Sequence, residues 1–375
     1  EPQQLKARLD GDAPAEQGTG EYVLDRSPSP HVRTAVDADR LRRLNEELLR
    51  TPEGFTIHPK LVRSLEQRRA ALGPDGGITW AHAEALAFAS LLEEGTPIRL
   101  TGQDAERGTF SQRHLVLHDP KSGQEYCPIQ NLPSAQAPME LHNSPLSEVA
   151  AMGFEYGYSQ EGPETLVLWE AQFGDFANAA QVIIDQFIVS GLAKWGQTSR
   201  LTLLLPHAYE GSGPEHSSAR LERFLQLAAE GNIRVAYPTT PAQYFHLLRR
   251  QAKIAKQRPL IVMTPKSLLR LPQATNRIEH LSASQFYPVL AEPRVDEQKV
   301  TRLILCTGKV YYDLTSSEAR REVEGVAIAR VELLYPFPQA QILEVVGKYP
   351  NLREVVWLQE EPRNMGARAH MSPRL

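Results

Sequence analysis

Between positions 79 and 264 the apolar residues fall into blocks that predict helices and strands in alternation. Short continuous apolar runs predict strands at 97–100, 165–169, 201–205, 233–237 and 260–264. Helical spacing predicts helices at 80–92, 146–156, 175–190, 217–229 and 241–255. Continuous apolar strands separated by helices are typical of a parallel sheet covered on both faces. The pattern therefore predicts an α/β fold with a doubly wound parallel sheet.

The regions on either side differ from this block. Residues 1–75 are polar and charged, with helices predicted at 38–49 and 59–72, and we interpret them as a connecting segment. The opening residues include Glu1 rather than Met, so we expect a fragment. A second, shorter alternation predicts strands at 301–306, 326–331 and 354–358 and helices at 316–323 and 340–346. We therefore predict a domain at 76–275 and a smaller α/β domain at 276–375, which we expect to be incomplete at its end.

Composition narrows the class of protein. With 375 residues, 41% hydrophobic, and a net charge of -4, the chain is globular and has no basic footprint for nucleic acid or a membrane surface. We find no apolar stretch that approaches the roughly 20 residues of a membrane span. Cys127 and Cys306 are too few for a disulfide framework. A reducing compartment, the bacterial cytoplasm or a mitochondrial matrix, is expected.

Glu148 lies where a helix is predicted to begin. Ser144 is the expected N-cap, Pro145 the first helical residue and Glu148 a first-turn acid. A favourable charge at the helix N-terminus is the simpler interpretation of Glu148. The residues that follow read as largely buried, and a buried carboxylate needs a partner. The alternative interpretation is therefore that Glu148 shares a proton with a ring nitrogen of a ligand.

Two aromatic residues follow the strand predicted at 165–169. Phe173 and Phe176 lie at the carboxyl end of this strand, where open α/β sheets bind ligands. They could form the wall of a pocket for a flat heterocycle. The alternative is that both rings belong to the core and that Asp175 caps a helix.

The loop at 206–218 holds two histidines. His207 and His216 lie among two glycines and a proline between a strand and a helix. A histidine at a helix entrance tends to stay neutral and can exchange protons near pH 7. Solvated surface histidines are the alternative.

A metal site is not expected. His114 and His118 are four residues apart, but the residues between them read as strand, where this spacing does not bring two side chains together.

Six motifs in the same order resemble the 2-oxoglutarate dehydrogenase E1 family. They are RGTFS at 107–111, SPLSE at 144–148, WEAQFGDFAN at 169–178, HAYEGSGPEHSS at 207–218, PKSLLR at 265–270 and QEEPRNMGA at 359–367. The resemblance covers roughly residues 76–375.

The resemblance implies a transketolase-like pyrimidine-binding domain followed by a transketolase C-terminal domain. Glu148 matches the glutamate that hydrogen-bonds the aminopyrimidine ring of thiamine diphosphate and so assists removal of a proton from the thiazolium. His216 matches the active-site histidine, and His207 is a second candidate. The positions that match the cofactor pocket are Leu146, Glu148, Gln172, Phe173 and Phe176.

The family activity is decarboxylation of 2-oxoglutarate with transfer of the succinyl group to a lipoylated E2 partner in the tricarboxylic acid cycle. Its members are homodimers. The half that holds Mg2+ and the diphosphate does not match any part of this chain, so the chain alone is expected to be inactive. An E1 for another 2-oxoacid such as 2-oxoadipate, and a non-catalytic assembly module of the same fold, remain alternatives.

Overall fold

The computed structural model describes residues 32–210, 218–293, 295–321 and 323–375. The strands are β1 (Ile98–Gly102), β2 (Leu117–His118), β3 (Glu125–Tyr126), β4 (Met139–Asn143), β5 (Leu166–Glu170), β6 (Thr202–Pro206), β7 (Arg234–Ala236), β8 (Leu260–Thr264), β9 (Val289–Ala291), β10 (Arg302–Cys306), β11 (Val326–Val331), β12 (Leu333–Tyr335) and β13 (Glu354–Leu358). The α-helices are α1 (Ala38–Leu48), α2 (Pro59–Ala70), α3 (Trp80–Glu93), α4 (Glu148–Glu161), α5 (Gln181–Ile183), α6 (Gly191–Trp195), α7 (Leu221–Leu227), α8 (Pro241–Lys253), α9 (Glu279–Ser282), α10 (Val310–Ser316), α11 (Glu318–Arg321), α12 (Gln339–Gly347) and α13 (Arg368–Met371).

Within the described residues the larger sheet has seven strands in the order β12-β7-β8-β6-β5-β1-β4. All neighbouring strands are parallel except β12, which runs antiparallel to β7. Strands β5, β6 and β8 are buried along their whole length, because helices cover both faces of the sheet. The predicted doubly wound α/β fold is confirmed.

The second sheet has the order β13-β10-β11-β9, with β9 antiparallel to β11. One residue, Glu332, separates β11 of this sheet from β12 of the larger one. Buried side chains of the two sheets, such as Leu203 and Leu303, belong to one hydrophobic core. The two sheets are therefore joined by both the backbone and a shared interior.

Several elements differ from the sequence prediction. The helix predicted at 146–156 begins only at Glu148. The helix predicted at 175–190 is a 3-10 turn, a short α-helix and a π-helix in succession. The part of the helix predicted at 217–229 that the structure describes is Leu221–Leu227. Strands β4, β9 and β12 were not predicted, since their short segments carry no clear alternation.

The run Asp175–Trp195 spans 21 residues and is long and apolar enough, by length and composition alone, to cross a membrane. The expectation that no apolar stretch approaches this length is therefore wrong. A partly buried helix of a globular protein passes the same test, and this run packs against α4.

Candidate active site

The carboxyl ends of the central strands bring the candidate residues to one edge of the larger sheet. Gln103 follows β1, Gln172 follows β5, His207 follows β6 and Lys266 follows β8. Since parallel strands all end at the same edge, residues far apart in sequence become neighbours. The backbone N–H of His207 donates to the carbonyl of Thr264 at 2.9 Å, which ties the ends of β6 and β8 together.

Glu148 is half-buried at the first residue of α4. Gln103 Nε2 donates to Glu148 Oε1 at 2.6 Å. The N-cap of α4 is Ser147 and its side chain makes no capping bond, so the expected cap at Ser144 is wrong. Ser144 instead donates its backbone N–H to the carbonyl of Gly102 at 2.8 Å, which holds the start of α4 beside β1.

A small pocket adjoins the Glu148 carboxylate. It is lined by Gln103, Ser144, Pro145, Glu148, Trp169, Glu170 and Gln172. Gln172 is fixed in place because its Oε1 accepts from Thr109 Oγ1 at 2.9 Å and its Nε2 donates to Asp104 Oδ2 at 3.0 Å. The structure therefore places Glu148 and Gln172 in the lining of one small pocket.

An aromatic wall begins at Phe173, the residue that follows Gln172 of the pocket lining. Phe173 lies edge-on to Phe176, with ring centroids 6.0 Å apart, and to Phe110, with centroids 5.9 Å apart. Phe110 was not singled out from sequence, because its loop is distant along the chain. Tilted and edge-on rings of this kind leave flat faces that suit a heterocyclic ligand.

The backbone under the aromatic wall is unusual. Phe173 has a φ of 53° and Gly174 a φ of 57°. A Cβ on Gly174 would lie 2.0 Å from the carbonyl oxygen of Pro206, so only glycine fits. Non-glycine residues in this conformation are concentrated at functional sites. The close approach also brings the end of β6 against the turn that carries Phe173.

A buried ionic network lies behind the pocket. Arg113 pairs with Glu84 through Nε at 2.6 Å and with Glu170 through two nitrogens at 2.8 and 2.6 Å. Tyr244 donates its hydroxyl to Glu84 at 2.7 Å. All four side chains are buried. Burial raises the pKa of Tyr244, and the nearby carboxylate of Glu84 raises it further. The sequence pattern does not reveal this network, since its four members come from four distant segments.

His207 is completely buried, so the interpretation as a solvated surface residue is wrong. Its Nδ1 accepts from the backbone N–H of Ala219 at 3.1 Å. Its Nε2 therefore carries the proton and donates to Glu361 Oε1 at 2.9 Å. Both ring nitrogens are occupied, and they connect the end of β6 with the segment after β13. His216 lies outside the described residues.

The outer face of α4 is exposed, against the expectation of a largely buried helix. Leu146 is 82% exposed and Phe154 is 59% exposed. We define the apolar face as the exposed large apolar residues of α4, of the turn before it and of the run Asp175–Trp195. Its members are Leu146, Val149, Phe154, Val182, Phe187 and Trp195. The rings of Phe187 and Trp195 lie 5.9 Å apart, so this face is continuous in its second half.

The donor set fits one half of a thiamine-type cofactor. Glu148 supplies a carboxylate whose Oε2 has no hydrogen bond among the described residues, and the aromatic wall supplies a flat surface. Together these groups can bind a protonatable heterocycle with a ring nitrogen. No group of three or more His, Cys, Asp or Glu residues suited to a metal ion occurs among the residues that the structure describes.

Comparison with known proteins identifies two matching family models. The model "Transketolase, pyrimidine binding domain" matches residues 76–272. The model "2-oxoglutarate dehydrogenase C-terminal" matches residues 275–375.

Curated relatives carry the name 2-oxoglutarate dehydrogenase E1 component. The protein from Geobacillus sp. (strain WCH70) is 53% identical over 373 residues, which are 96% of this chain and 39% of the relative. The protein from Bacillus subtilis (strain 168) is 56% identical over 353 residues, 92% of this chain and 37% of the relative. The chain thus spans about two fifths of the length of these relatives.

Proposed function

Because the chain belongs to the family defined by the transketolase-type pyrimidine-binding domain, here followed by the 2-oxoglutarate dehydrogenase C-terminal region, we propose that it supplies the pyrimidine side of the active site of a 2-oxoglutarate dehydrogenase E1 enzyme. The observation that carries this proposal is the Glu148 carboxylate, half-buried at the carboxyl edge of the sheet in a pocket that it shares with Gln172, the residue before Phe173. The identity to relatives of that name supports the choice of reaction.

Glu148 holds the aminopyrimidine ring of thiamine diphosphate through a hydrogen bond to a ring nitrogen. Bound thiamine diphosphate supplies the nucleophilic carbon and the electron sink for loss of CO2 from a 2-oxoacid. Gln103 orients the glutamate through its 2.6 Å bond. Phe173 and Phe176 would supply flat apolar surfaces for the ring, Gln172 lines the pocket, and the exposed Leu146 before α4 would be a further contact. Mg2+ and the diphosphate are assigned to the region of the relatives that this chain does not cover.

The two histidines take different roles. His216 is proposed as the group that shuttles protons at the reacting carbon. His207 has no free ring nitrogen, since Ala219 and Glu361 occupy both. We assign it a positioning role that holds the end of β6 against Glu361 and Ala219.

The proposed substrate is 2-oxoglutarate, and the acyl acceptor is the lipoyl group of a succinyltransferase E2 partner. The location proposed is the bacterial cytoplasm, where the buried free thiols Cys127 and Cys306 would stay reduced.

We propose that a second copy of the protein covers the apolar face. Exposed apolar clusters on this scale mark interaction surfaces, and the face borders the start of α4, where Glu148 lies. A two-fold axis there would place two active sites close to the interface.

Phe154→Asp tests the dimer by sedimentation velocity. The variant should shift from dimer to monomer, because it places a charge in the middle of the apolar face. Leu343→Asp, on a 58% exposed leucine of α12, is the control and should remain a dimer. A dimer in both variants would place the contact elsewhere.

The enzyme assay needs the full-length protein, by which we mean this chain together with the remaining region of the relatives. Glu148→Gln should lower thiamine-dependent decarboxylation of 2-oxoglutarate at least about 100-fold, because general acid–base contributions are of this size. Glu161→Gln, on an exposed glutamate at the other end of α4, should retain full activity. Equal activity of both variants would remove Glu148 from the mechanism.

A substrate series separates the alternatives. Faster turnover of 2-oxoadipate than of 2-oxoglutarate would identify an E1 for that acid. No turnover of any 2-oxoacid by the full-length protein with cofactor would indicate a non-catalytic module.

A further inference from the structure

A cavity of about 340 Å³ lies between α2 and the start of α3. We call it the arginine cavity, because Arg68 of α2 and Arg270 after β8 both line it. Other parts of its wall come from the start of α3 and from the loop before β2. Its volume falls in the range of roughly 300–1,000 Å³ that is typical of small-molecule sites. None of its lining residues belongs to the pocket at Glu148, so the two sites are separate.

The two arginines have no carboxylate partner. Arg68 donates one nitrogen to two backbone carbonyls of the loop before β2, at 3.3 and 3.0 Å. Arg270 donates to the carbonyl of Phe110. Within the part of the chain that the structure describes, neither guanidinium forms an ion pair. Burial lowers the pKa of Arg68, and the one carboxylate that offsets this effect, Glu84, is paired with Arg113 instead. Two positive charges therefore face the cavity without a counter-ion.

The start of α3 adds to the positive potential. This helix has 14 residues, its N-cap Thr79 makes no side-chain capping bond, and its first turn contains no acidic residue. Thr79 and Ala81 both line the cavity. The first N–H groups of a helix have no partner inside the helix, and the helix dipole favours a negative charge beside them. An anion in the cavity would satisfy both needs.

His82 supplies a hydrogen-bond acceptor. This residue lines the cavity and is 1% exposed. Asn45 donates its Nδ2 to the carbonyl of Arg68 and accepts at Oδ1 from His82 Nε2 at 2.8 Å, so the ring proton is on Nε2. His82 Nδ1 has no hydrogen-bond partner among the described residues. Burial, together with the charge of Arg68, lowers the pKa of His82 to about 3, so the ring is neutral and Nδ1 can only accept.

These groups select among anions. A carboxylate has two oxygens and carries no proton at neutral pH, so it would leave several donors of the cavity and the acceptor on His82 unused. A phosphate group presents more oxygens to donors that approach from several directions. Free phosphate also keeps a hydroxyl at neutral pH, and a phosphomonoester can offer one on the group that it esterifies.

We propose that the arginine cavity binds a phosphate group, either as free phosphate or as a phosphomonoester, through Arg68, Arg270 and the first turn of α3. This site does not depend on the reaction assigned to the pocket at Glu148. Helix α2 has no buried residue, so apolar packing does little to hold it in place. A phosphate bound by both arginines connects α2 with the segment after β8 and stabilises that arrangement.

Calorimetric titration of the full-length protein with inorganic phosphate tests the proposal. Thiamine diphosphate and Mg2+ are kept at saturation, so that any site for the cofactor's diphosphate is already filled. Arg270→Met, at an exposed position that should tolerate the change, should weaken phosphate binding about 10- to 100-fold, as expected for loss of a charge-assisted hydrogen bond. Arg270→Lys should recover part of the affinity. Absence of phosphate binding by the wild type, or equal binding by Arg270→Met, would overturn the proposal.

Arg69→Met is the matched control. Arg69 follows Arg68 on α2, but its side chain is 59% exposed, lies 3.6 Å from Glu46 and does not line the cavity. The variant removes the same charge and should bind phosphate as the wild type does. An equal loss of affinity in Arg69→Met and Arg270→Met would show that only the net charge matters, and the proposed site would be wrong.

A ligand series tests the chemistry of the site. Sulfate has the shape of phosphate but no proton at neutral pH, so it should bind at least about 10-fold more weakly, because His82 Nδ1 would stay unpaired. Sulfate binding as tight as that of phosphate would refute the choice of a phosphate group. Tighter binding of glycerol 3-phosphate than of inorganic phosphate would identify a phosphomonoester as the ligand, and weaker binding would identify free phosphate.

Thermal stability gives a second readout. Phosphate at about 100 times its Kd should raise the apparent melting temperature of the wild type and of Arg69→Met by several degrees, and that of Arg270→Met by less. The same shift in all three proteins would place phosphate binding outside the arginine cavity and contradict the proposal.

Discussion

Replacing Arg113 by methionine should strongly destabilise the protein. The guanidinium makes four N–H···O bonds to Glu84 and Glu170, at 2.6, 3.2, 2.8 and 2.6 Å. The side chains of the three residues are 2, 6 and 5% exposed. In the variant two carboxylates would remain buried, with Tyr244 as a remaining donor to Glu84.

Loss of one partner from a buried ion pair typically costs about 3–5 kcal/mol. We expect a loss of that size in the free energy of unfolding, which lowers the melting temperature by roughly 6–20 °C at about 2–4 °C per kcal/mol. Urea unfolding followed by far-UV circular dichroism measures it. The reason lies in desolvation, because the two carboxylates cannot recover the water that they lost on folding.

Two further variants test the reasoning. Arg302→Met breaks a pair with Glu354 at 2.6 Å in which both side chains are about half exposed, and it should cost less than about 1 kcal/mol. Changing Glu84 and Glu170 to glutamine in the Arg113→Met background should recover much of the lost stability, since no buried negative charge remains. Similar small losses for the Arg113 and Arg302 variants would refute the desolvation argument.

Two other changes have outcomes set by single contacts. Gly174→Ala should lower the free energy of unfolding by at least about 1–2 kcal/mol, because alanine disfavours the positive φ and its Cβ would collide with Pro206. Urea unfolding measures this loss. The control is Gly157→Ala, which should be neutral or stabilising because Gly157 lies in an open helical position. Glu332 is fully buried, and burial raises its pKa from 4.5 to about 7. The folded protein therefore favours the protonated carboxyl. The resulting contribution to the free energy of unfolding is complete below about pH 4.5 and disappears as the pH rises through 7. Between pH 5 and 8 the wild type should therefore lose on the order of 2–3 kcal/mol relative to Glu332→Gln, and parallel stability curves for the two proteins would contradict the assignment.

The sequence by itself determined the order of elements and the class of fold. Buried parallel strands must be apolar at every position, so β5, β6 and β8 were evident within one residue of their bounds. The motifs around Glu148 and Phe173 were also evident, because each is local along the chain. The resemblance of six ordered motifs identified the family before any geometry was known.

Tertiary structure decided which of these residues meet and which are engaged elsewhere. The Arg113 network depends on segments brought together by the sheet, and no local pattern encodes such contacts. His207 read as a loop histidine, and only the packing of the second domain revealed that its ring is buried against Glu361. Local periodicity reports which face of an element is apolar, whereas the partner of each polar group depends on how the elements pack.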